Sequence, residues 1–361
     1  MRVKNGKSRD GDRAASEARR KVALPPYASD VGPIGTALTL IGVTILIVGL
    51  GVLVADYRND RHASVYTPVA ELPFADPILR DCVIAEADRQ GWSTSGEVQT
   101  LRCTNPETDQ ISDLAGIENL INLADVNLAH NRIADTAPLA KLVRLENLDL
   151  GYNEISAPAL APLRPSLHSL NLDHNALTDL RWVDGLPHLD YLSVGHNRIG
   201  SIDGVGELAD LRLLNIEQNG IRELAPVAAL DGLEVLIADG NEIADLTPLQ
   251  DLAGLLVLDL GRNRISDIRP LDGLSLLFEL DLSRNPLRRI DALADSPRLA
   301  RVDLSGTDIE DFAPLAKLGE LESVDLTATA LDCDGLLDLQ RAVGADAIRH
   351  GLECAPSGPD E

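Results

Sequence analysis

Four ring side chains recur at a fixed interval in the first half of the chain. His130, Tyr152, His174 and His196 stand 22 residues apart. Such rings hydrogen-bond and stack, and histidine also binds metal ions. His174 and His196, with Asp173 nearby, could reach one ion, but His130 lies two intervals from His174, too far to share it. The row therefore favours recognition of a protein or glycan, and a solvated row of rings is the simplest alternative.

The 22-residue interval extends over most of the chain. An asparagine recurs at this spacing eight times, and threonine takes its place in the last two intervals. The ten positions are Asn131, Asn153, Asn175, Asn197, Asn219, Asn241, Asn263, Asn285, Thr307 and Thr329. An L-x-x-L-x-L segment precedes each of them, and a degenerate first repeat contains Ile111 and Leu114. Self-similarity at this period is typical of a solenoid.

The repeat predicts a short strand followed by a turn. Alternate leucines of a strand point to one face, so they form the interior. The asparagine amide can satisfy backbone groups where the chain leaves the strand. Prolines in the second half, such as Pro248 and Pro270, prevent a long helix. We therefore predict a curved α/β repeat solenoid, with a parallel sheet on the concave face and short 3₁₀ or extended segments on the convex face.

These repeats carry a family resemblance. Residues 123–331 resemble the 22-residue class of leucine-rich repeats and are most similar to those of the internalin family of bacterial surface proteins. The resemblance is clearest in residues 111–114 (ISDL), 131–135 (NRIAD) and 263–268 (NRISDI). It implies a leucine-rich-repeat solenoid. It also implies a binding protein, in a family whose repeats bind many kinds of partner.

The outward positions near the middle of the predicted sheet are apolar. This apolar patch consists of Tyr191, Leu213, Val235, Ile237 and Val257. We predict that these side chains are contiguous and exposed. An exposed apolar patch with a polar rim indicates a partner-binding site, although β-branched residues also simply suit strands.

Aspartates occupy the next outward positions towards the C-terminus. Asp259, Asp281, Asp303 and Asp325, here called the acidic row, stand 22 residues apart. Like charges on adjacent strands repel one another. The default interpretation is a solvated acidic face, and weak Ca²⁺ binding is the alternative.

Four cysteines flank the repeats. Cys82 and Cys103 precede them, and Cys333 and Cys354 follow them. Only local pairing joins neighbours in a long solenoid, so we predict disulfides Cys82–Cys103 and Cys333–Cys354 in the two caps. No C-x-x-C spacing supports a metal site instead. Residues 76–90 and 334–343 are predicted to form short cap helices.

An uncharged stretch at residues 34–55 is long enough to cross a membrane. We predict a signal-anchor helix at residues 31–55, with a cleaved signal peptide as the alternative. The preceding residues carry eight basic and four acidic side chains, so the N-terminus is predicted to be cytoplasmic. The repeats would then be periplasmic or extracellular, most simply at a bacterial inner membrane. Gly35, Gly42 and Gly49 could support homodimer formation through this helix.

The predicted domains follow from these features. They are a disordered basic tail (1–30), the membrane helix (31–55), a linker (56–72), an N-terminal cap (73–103), the repeats (104–332), and a C-terminal cap and tail (333–361). The net charge of −25 argues against nucleic acid as a partner. The sequence lacks phosphate-loop and hydrolase motifs. Residues 204–209 resemble a dinucleotide-binding fingerprint, but they fall in the convex half of a repeat, so we do not interpret them as a nucleotide site. We predict neither catalysis nor a cofactor.

The sequence therefore predicts a membrane-anchored, extracytoplasmic protein-binding module that uses its concave face. The alternative is a structural envelope protein that binds cell-wall polymer or glycan.

Overall fold

The computed structural model describes residues 67–104, 109–163 and 165–352. In these ranges, twelve short strands form one open, curved parallel sheet in chain order. The strands are β1 (Thr100–Arg102), β2 (Asp125–Asn127), β3 (Asn147–Asp149), β4 (Ser169–Asn171), β5 (Tyr191–Ser193), β6 (Leu213–Asn215), β7 (Val235–Ile237), β8 (Val257–Asp259), β9 (Glu279–Asp281), β10 (Arg301–Asp303), β11 (Ser323–Asp325) and β12 (Ile348–Arg349). The predicted leucine-rich-repeat solenoid is confirmed.

The register of the sheet follows the repeat length. From β2 to β11, each residue pairs with the residue 22 positions later, as Leu213 does with Val235. The first pairing differs, because Thr100 of β1 pairs with Asp125, so the degenerate first repeat is three residues longer. β12 extends the sheet into the C-terminal cap, and the repeat pattern does not predict that strand.

Short 3₁₀ helices form the convex side, as the prolines predict. They are Val69–Glu71, Ile117–Asn119, Ala137–Lys141, Ala161–Leu163, Arg181–Gly185, Val205–Glu207, Ala225–Ala229, Thr247–Leu249, Arg269–Leu271, Asp291–Asp295, Ala313–Lys317 and Ala345–Ala347. Between them and the sheet, the repeated leucines and isoleucines form one continuous buried core. Each layer of this core can be buried only against its neighbours.

In eight repeats, a buried or half-buried asparagine bonds to the repeat before it. The Asn197 side-chain amide donates to the carbonyls of Val194 and Gly195 in its own repeat and of Leu172 in the previous repeat, each at 3.0 Å. Its oxygen accepts the Leu177 N–H at 2.9 Å. These bonds satisfy backbone groups that would otherwise be orphaned in the interior. The predicted role of the asparagine is therefore confirmed.

The two threonines in this series make a smaller contribution. Thr307 Oγ1 donates to the Leu304 carbonyl at 2.6 Å, and Thr329 Oγ1 donates to the Leu326 carbonyl at 2.8 Å. A hydroxyl has one proton, whereas an amide nitrogen has two. Each of the two threonines therefore donates a hydrogen bond within its own repeat. It has no second proton to donate to a carbonyl of the preceding repeat.

The N-terminal cap is built around a helix and a buried carboxylate. Helix α1 (Pro77–Gln90) begins at Asp76, whose Oδ1 accepts the N–H of Ile78 at 2.8 Å. Asp76 Oδ2 accepts the N–H of Ser112 in the first repeat at 2.9 Å. Burial alone would raise the pKa of Asp76, but four backbone N–H donors together hold it below its ordinary value. This carboxylate therefore ties the cap helix to the repeats.

A disulfide also closes this cap. Cys82 and Cys103 are bonded, with a Cα–Cα distance of 5.9 Å, which confirms the predicted pair. Val69 and Leu72 are buried in the core, so the cap begins earlier than the predicted boundary at residue 73. At the other end, helix α2 (Cys333–Val343) covers the last repeat, close to its predicted position.

Several predictions concern residues outside the described ranges. The signal-anchor helix at 31–55, the basic tail and Cys354 all lie there. Cys333 is disulfide-bonded, and its pairing with Cys354 stays a prediction. In the described part of the chain, no helix is long and apolar enough to cross a membrane.

Removing one asparagine should destabilise the solenoid measurably. Asn263→Ala would leave the Ile243 N–H and the Ala238 and Leu260 carbonyls without their bonds to this side chain. We expect the free energy of unfolding to fall by about 3 kcal/mol, because buried unsatisfied backbone groups are costly. Urea unfolding followed by circular dichroism would measure it.

Asn263→Thr is the matched control, because threonine occupies this position at Thr307 and Thr329. It should lose clearly less stability than Asn263→Ala. Equal stability of the alanine variant and the unmodified chain would show that the amide contributes nothing.

Candidate binding face on the concave sheet

The four rings form one stacked column, here called the ring ladder. The centroid distances are 4.2 Å for His130–Tyr152, 4.0 Å for Tyr152–His174 and 4.0 Å for His174–His196. The planes of His174 and His196 differ by 10°, so their in-plane nitrogen lone pairs do not converge on one point. The column is half-buried and presents ring edges, since neighbouring rings cover the faces.

An unusual backbone conformation holds the ring ladder in place. The residue before each repeated asparagine or threonine has a positive φ, for example 59° at His130 and 52° at His196. Glycine fills two of these ten positions, Gly240 and Gly306, where the left-handed conformation is free of side-chain strain. The turn therefore fixes where each ring leaves the backbone, and the pairing of adjacent turns brings the rings into contact.

The predicted exposure of the apolar patch is wrong. Tyr191 is 8% exposed, Leu213 and Val235 are 1% exposed, and Ile237 and Val257 are 3% exposed. Register contributes to this burial, because these residues lie side by side on adjacent strands ~4.8 Å apart and cover one another's flanks. The residues are contiguous, as predicted. Their role in partner binding stays a prediction.

A line of acids that the sequence reasoning missed lies beside the ring ladder. Asp173, Glu217 and Asp239 stand two residues before repeated asparagines and are largely buried. Ser193 Oγ donates to Asp173 Oδ1 at 2.7 Å, and the Gly195 N–H donates to the same oxygen. Reading the position two before each asparagine as outward would have revealed this line, which has acids at three positions and small residues or threonine at the others.

Burial raises the pKa of Asp173 and of Glu217. The pKa of Asp173 is about 7, because burial and the charges of Glu217 and Asp149 outweigh the bonds from Ser193 and Gly195. Burial likewise raises the pKa of Asp149 to about 6. Several acids of this face therefore titrate near neutral pH.

Arg262 neutralises part of this line. It forms an ion pair with Asp239 and donates from Nε to Asp239 Oδ1 at 2.8 Å. His196 Nε2 lies 3.7 Å from Glu217 Oε1. Burial lowers the pKa of His196, with a further contribution from the positive charge of Arg262. His196, the last ring of the ring ladder, therefore lies beside a network in which acidic and basic side chains pair.

The acidic row lies on four consecutive strands, as predicted. Asp259, Asp281, Asp303 and Asp325 are register partners on β8 to β11. Burial raises the pKa of Asp259 and Asp281, and the neighbouring carboxylates raise it further. In the residues that the structure describes, no group of three or more His, Cys, Asp or Glu is arranged to hold a metal ion.

Glu279 is the least satisfied acid of this face. It lies two residues before Asp281 on β9 and is 5% exposed. Its Oε2 atom is buried and has no hydrogen-bond partner in the described ranges. Burial raises its pKa to about 7, although the charge of Arg301 on the next strand opposes this.

Comparison with known proteins agrees with this architecture. Residues 165–221 and 231–287 match the family described as leucine rich repeat. An internalin from Listeria monocytogenes is 25% identical, with a TM-score of 0.65, covering 80% of this chain and 94% of that one. A leucine-rich-repeat protein from Leptospira interrogans is 25% identical, with a TM-score of 0.64, covering 71% of this chain and 66% of that one.

A third structure, the functional domain of InlJ from Listeria monocytogenes, is 24% identical, with a TM-score of 0.67. It covers 80% of this chain and 62% of that one, and it shows the fold alone. Curated proteins yield no match at a significant level. The chain thus contains leucine-rich repeats and is similar in structure to internalins. Since 511 chains of solved structures match, the fold alone does not identify a partner. The partner has to be inferred from the residues on the concave face of this chain.

The raised carboxyl pKa values predict a pH-dependent stability. These acids keep their protons to a higher pH in the folded chain than in the unfolded chain. Their contribution is therefore full below about pH 4 and is lost as the pH rises through about 7. We expect the midpoint of urea unfolding to be lower at pH 8 than at pH 5.

Glu279→Gln tests the origin of this dependence. It should raise the free energy of unfolding at pH 8 by of order 2 kcal/mol, since a buried charge is removed. Glu154→Gln, at an exposed position, should leave the dependence unchanged. A Glu279→Gln profile parallel to that of the unmodified chain would contradict this explanation.

Proposed function

We propose that this chain is a membrane-anchored, extracytoplasmic protein that binds a protein partner on its concave face. The observation that carries the proposal is the chemical division of the sheet. The ring ladder, the apolar patch and the acidic row lie side by side, each continued over several strands in register. The half-buried ring ladder and the half-buried acids of the acidic row can select a partner by shape and charge together, whereas the apolar patch is buried in the free chain and contributes only where a partner uncovers it.

The resemblance to internalins supports binding rather than catalysis. The perturbed acids lie along an extended sheet, and burial and like charge account for their raised pKa values. Structural networks perturb pKa values as active sites do. The proposal therefore contains no catalytic step and needs no cofactor.

The anchor is tested by removing it. Residues 34–55 are uncharged and follow a basic leader, so they should hold the chain in the membrane with the repeats outside the cytoplasm. We expect deletion of residues 31–55 to release the chain from the membrane fraction. External protease should digest the repeats of the unmodified chain in spheroplasts. A chain protected until the membrane is broken would contradict the orientation.

Partner binding is tested by polar substitutions in the apolar patch. Aspartate at Leu213 or Val235 would place a charge at a buried site and threaten folding. Val235→Thr/Val257→Thr keeps the β-branched shape and adds hydroxyls. These residues are 1% and 3% exposed in the free chain, so capture of a protein from native membranes should weaken severalfold if the partner uncovers the patch. Quantitative pull-down with the full chain would measure this.

The matched control changes two exposed apolar residues elsewhere. Ile121 and Val143 are 48% and 57% exposed and lie outside the concave strands. Ile121→Thr/Val143→Thr should leave capture unchanged. If the two double variants capture the same proteins in equal amounts, the apolar patch is not the binding site.

The ring ladder supports a second candidate, binding of cell-wall glycan. Its ring edges are half-buried and carry hydrogen-bonding groups, whereas the faces that a sugar would stack on are mostly covered by neighbouring rings. Sedimentation with peptidoglycan would decide between the two. Loss of sedimentation in His130→Ala, with protein capture intact, would favour the structural role.

A further inference from the structure

We propose that the acidic row, together with Glu279, binds lysine or arginine side chains on an extended segment of a protein partner. This inference rests on the proposed function and names the chemistry by which the concave face would select its partner.

The C-terminal half of the concave sheet has an excess of negative charge. Its carboxylates on β8 to β11 are Asp259, Glu279, Asp281, Asp303 and Asp325. Arg349 Nη1 lies 3.3 Å from Asp325 Oδ2, at the end of the row. Arg301, the register partner of Glu279 on β10, donates from Nη2 to Glu322 at 3.0 Å, outside the row, and its buried Nη1 has no hydrogen-bond partner in the described ranges. This one positive charge opposes only part of the charge of the five carboxylates. The middle of the row therefore keeps a charge that a cationic partner would complement.

The aspartates are held in place by their own backbone. The Gly261 N–H donates to Asp259 at 3.2 Å, the Ser283 N–H to Asp281 at 2.7 Å, and the Ser305 N–H to Asp303 at 2.8 Å. Each bond occupies one oxygen of a carboxylate that can accept about four hydrogen bonds. The row is therefore preorganised and retains acceptor capacity towards the groove.

Glu279 supplies an independent indication of a ligand. Its buried Oε2 has no partner among the described residues. It shares the concave face with Asp281, because alternate residues of a strand point to the same side. Burial raises the pKa of Glu279, the charge of Arg301 opposes this, and the charge of Asp281 adds to it. A buried acceptor without a donor is costly, and a cationic donor at this point would satisfy Glu279 and neutralise the row together.

Restricted access favours a long side chain over a bulky group. Glu279 and Asp281 are 5% and 8% exposed, whereas Asp303 and Asp325 are half-buried. Lysine and arginine carry their charge at the end of a thin aliphatic stem. Alternate side chains of an extended peptide are about 7 Å apart, and adjacent strands of the sheet are ~4.8 Å apart. Lysine or arginine side chains at alternate positions of the peptide would therefore reach carboxylates that lie one or two strands apart in the sheet.

The test is direct binding of a defined peptide to the full-length chain. The probe is a capped, dye-labelled peptide of alternating lysine and alanine, and a peptide with glutamine for lysine is the neutral control. Fluorescence anisotropy at low salt (about 50 mM) limits screening. We expect the lysine peptide to bind more tightly than the neutral one. Glu279→Gln/Asp281→Asn should weaken its binding about tenfold or more, as expected for loss of charged hydrogen bonds.

The matched control removes the same charge from the opposite side of the molecule. Asp251 and Asp272 are exposed and lie outside the strands, so Asp251→Asn/Asp272→Asn should change binding less than about twofold. The unfolding midpoint of each double variant establishes that it is folded. Equal loss in both doubles would mean attraction by net charge alone and would overturn the inference.

Two further results would also overturn the inference. One is equal binding of the neutral peptide, or no binding of the lysine peptide. The other is binding of Ca²⁺ alone, measured by calorimetry, that displaces the peptide and is lost in Glu279→Gln/Asp281→Asn, because the row would then be a metal site. If the inference fails while capture still depends on the apolar patch, the proposed function stands and only the partner's chemistry is wrong.

Discussion

A side-chain carboxamide that bonds to two successive repeats accounts for the 22-residue spacing of the asparagine-containing repeats. The Asn197 side chain can reach the Leu172 carbonyl and the Leu177 N–H only if its own turn lies directly above the preceding one. The longer first repeat keeps the same two bonds, from Asn131 to the Cys103 carbonyl and from the Ile111 N–H to Asn131, because its three extra residues lie between those two positions. An extra residue inside a bonded segment would leave buried backbone groups without partners. The constant spacing of these asparagines is thus a hydrogen-bonding requirement of the interior.

The concave surface inherits this regularity. Because successive turns superpose, residues at one repeat position form a straight row across the sheet, whatever their chemistry. Stacking of rings with rings is favourable, as in the ring ladder. Stacking of carboxylates with carboxylates is unfavourable, and in the acidic row it is combined with burial. In the residues that the structure describes, Arg301 opposes only part of the charge at the middle of that row, which is the physical reason to look for a further cation in a partner.

Much of the architecture could be predicted from the sequence, because it follows from periodicity. The strands, the 3₁₀ segments and the asparagine bonds result from local chemistry repeated at a fixed spacing. The Cys82–Cys103 pair follows instead from the closeness of the two cysteines in the N-terminal cap. Asp76 was predicted at the start of a helix, but not its bonds to Ser112, because a contact 36 residues away leaves no trace in the repeat.

The candidate site was less predictable. That Tyr191 and Leu213 point towards the concave side follows from strand alternation, whereas their exposed fraction depends on everything packed around them. The line through Asp173 and Glu217 was missed because those residues lie beyond the ends of β4 and β6, where outward positions were not sought, although the alternation continues to them. The stacking of His174 on His196 depends on positive φ values that histidine seldom adopts.

Threonine replaces asparagine in the last two repeats, and this makes the two ends of the solenoid unequal in stability. Thr307 and Thr329 each donate one hydroxyl proton within their own repeat, so the final layers are joined to the array by fewer side-chain bonds than the earlier layers. In a linear array, the most weakly coupled end opens first and most often. Fraying should therefore begin beside α2 and advance towards the N-terminus, with backbone amides of β10 and β11 exchanging with solvent sooner than those of β3 and β4.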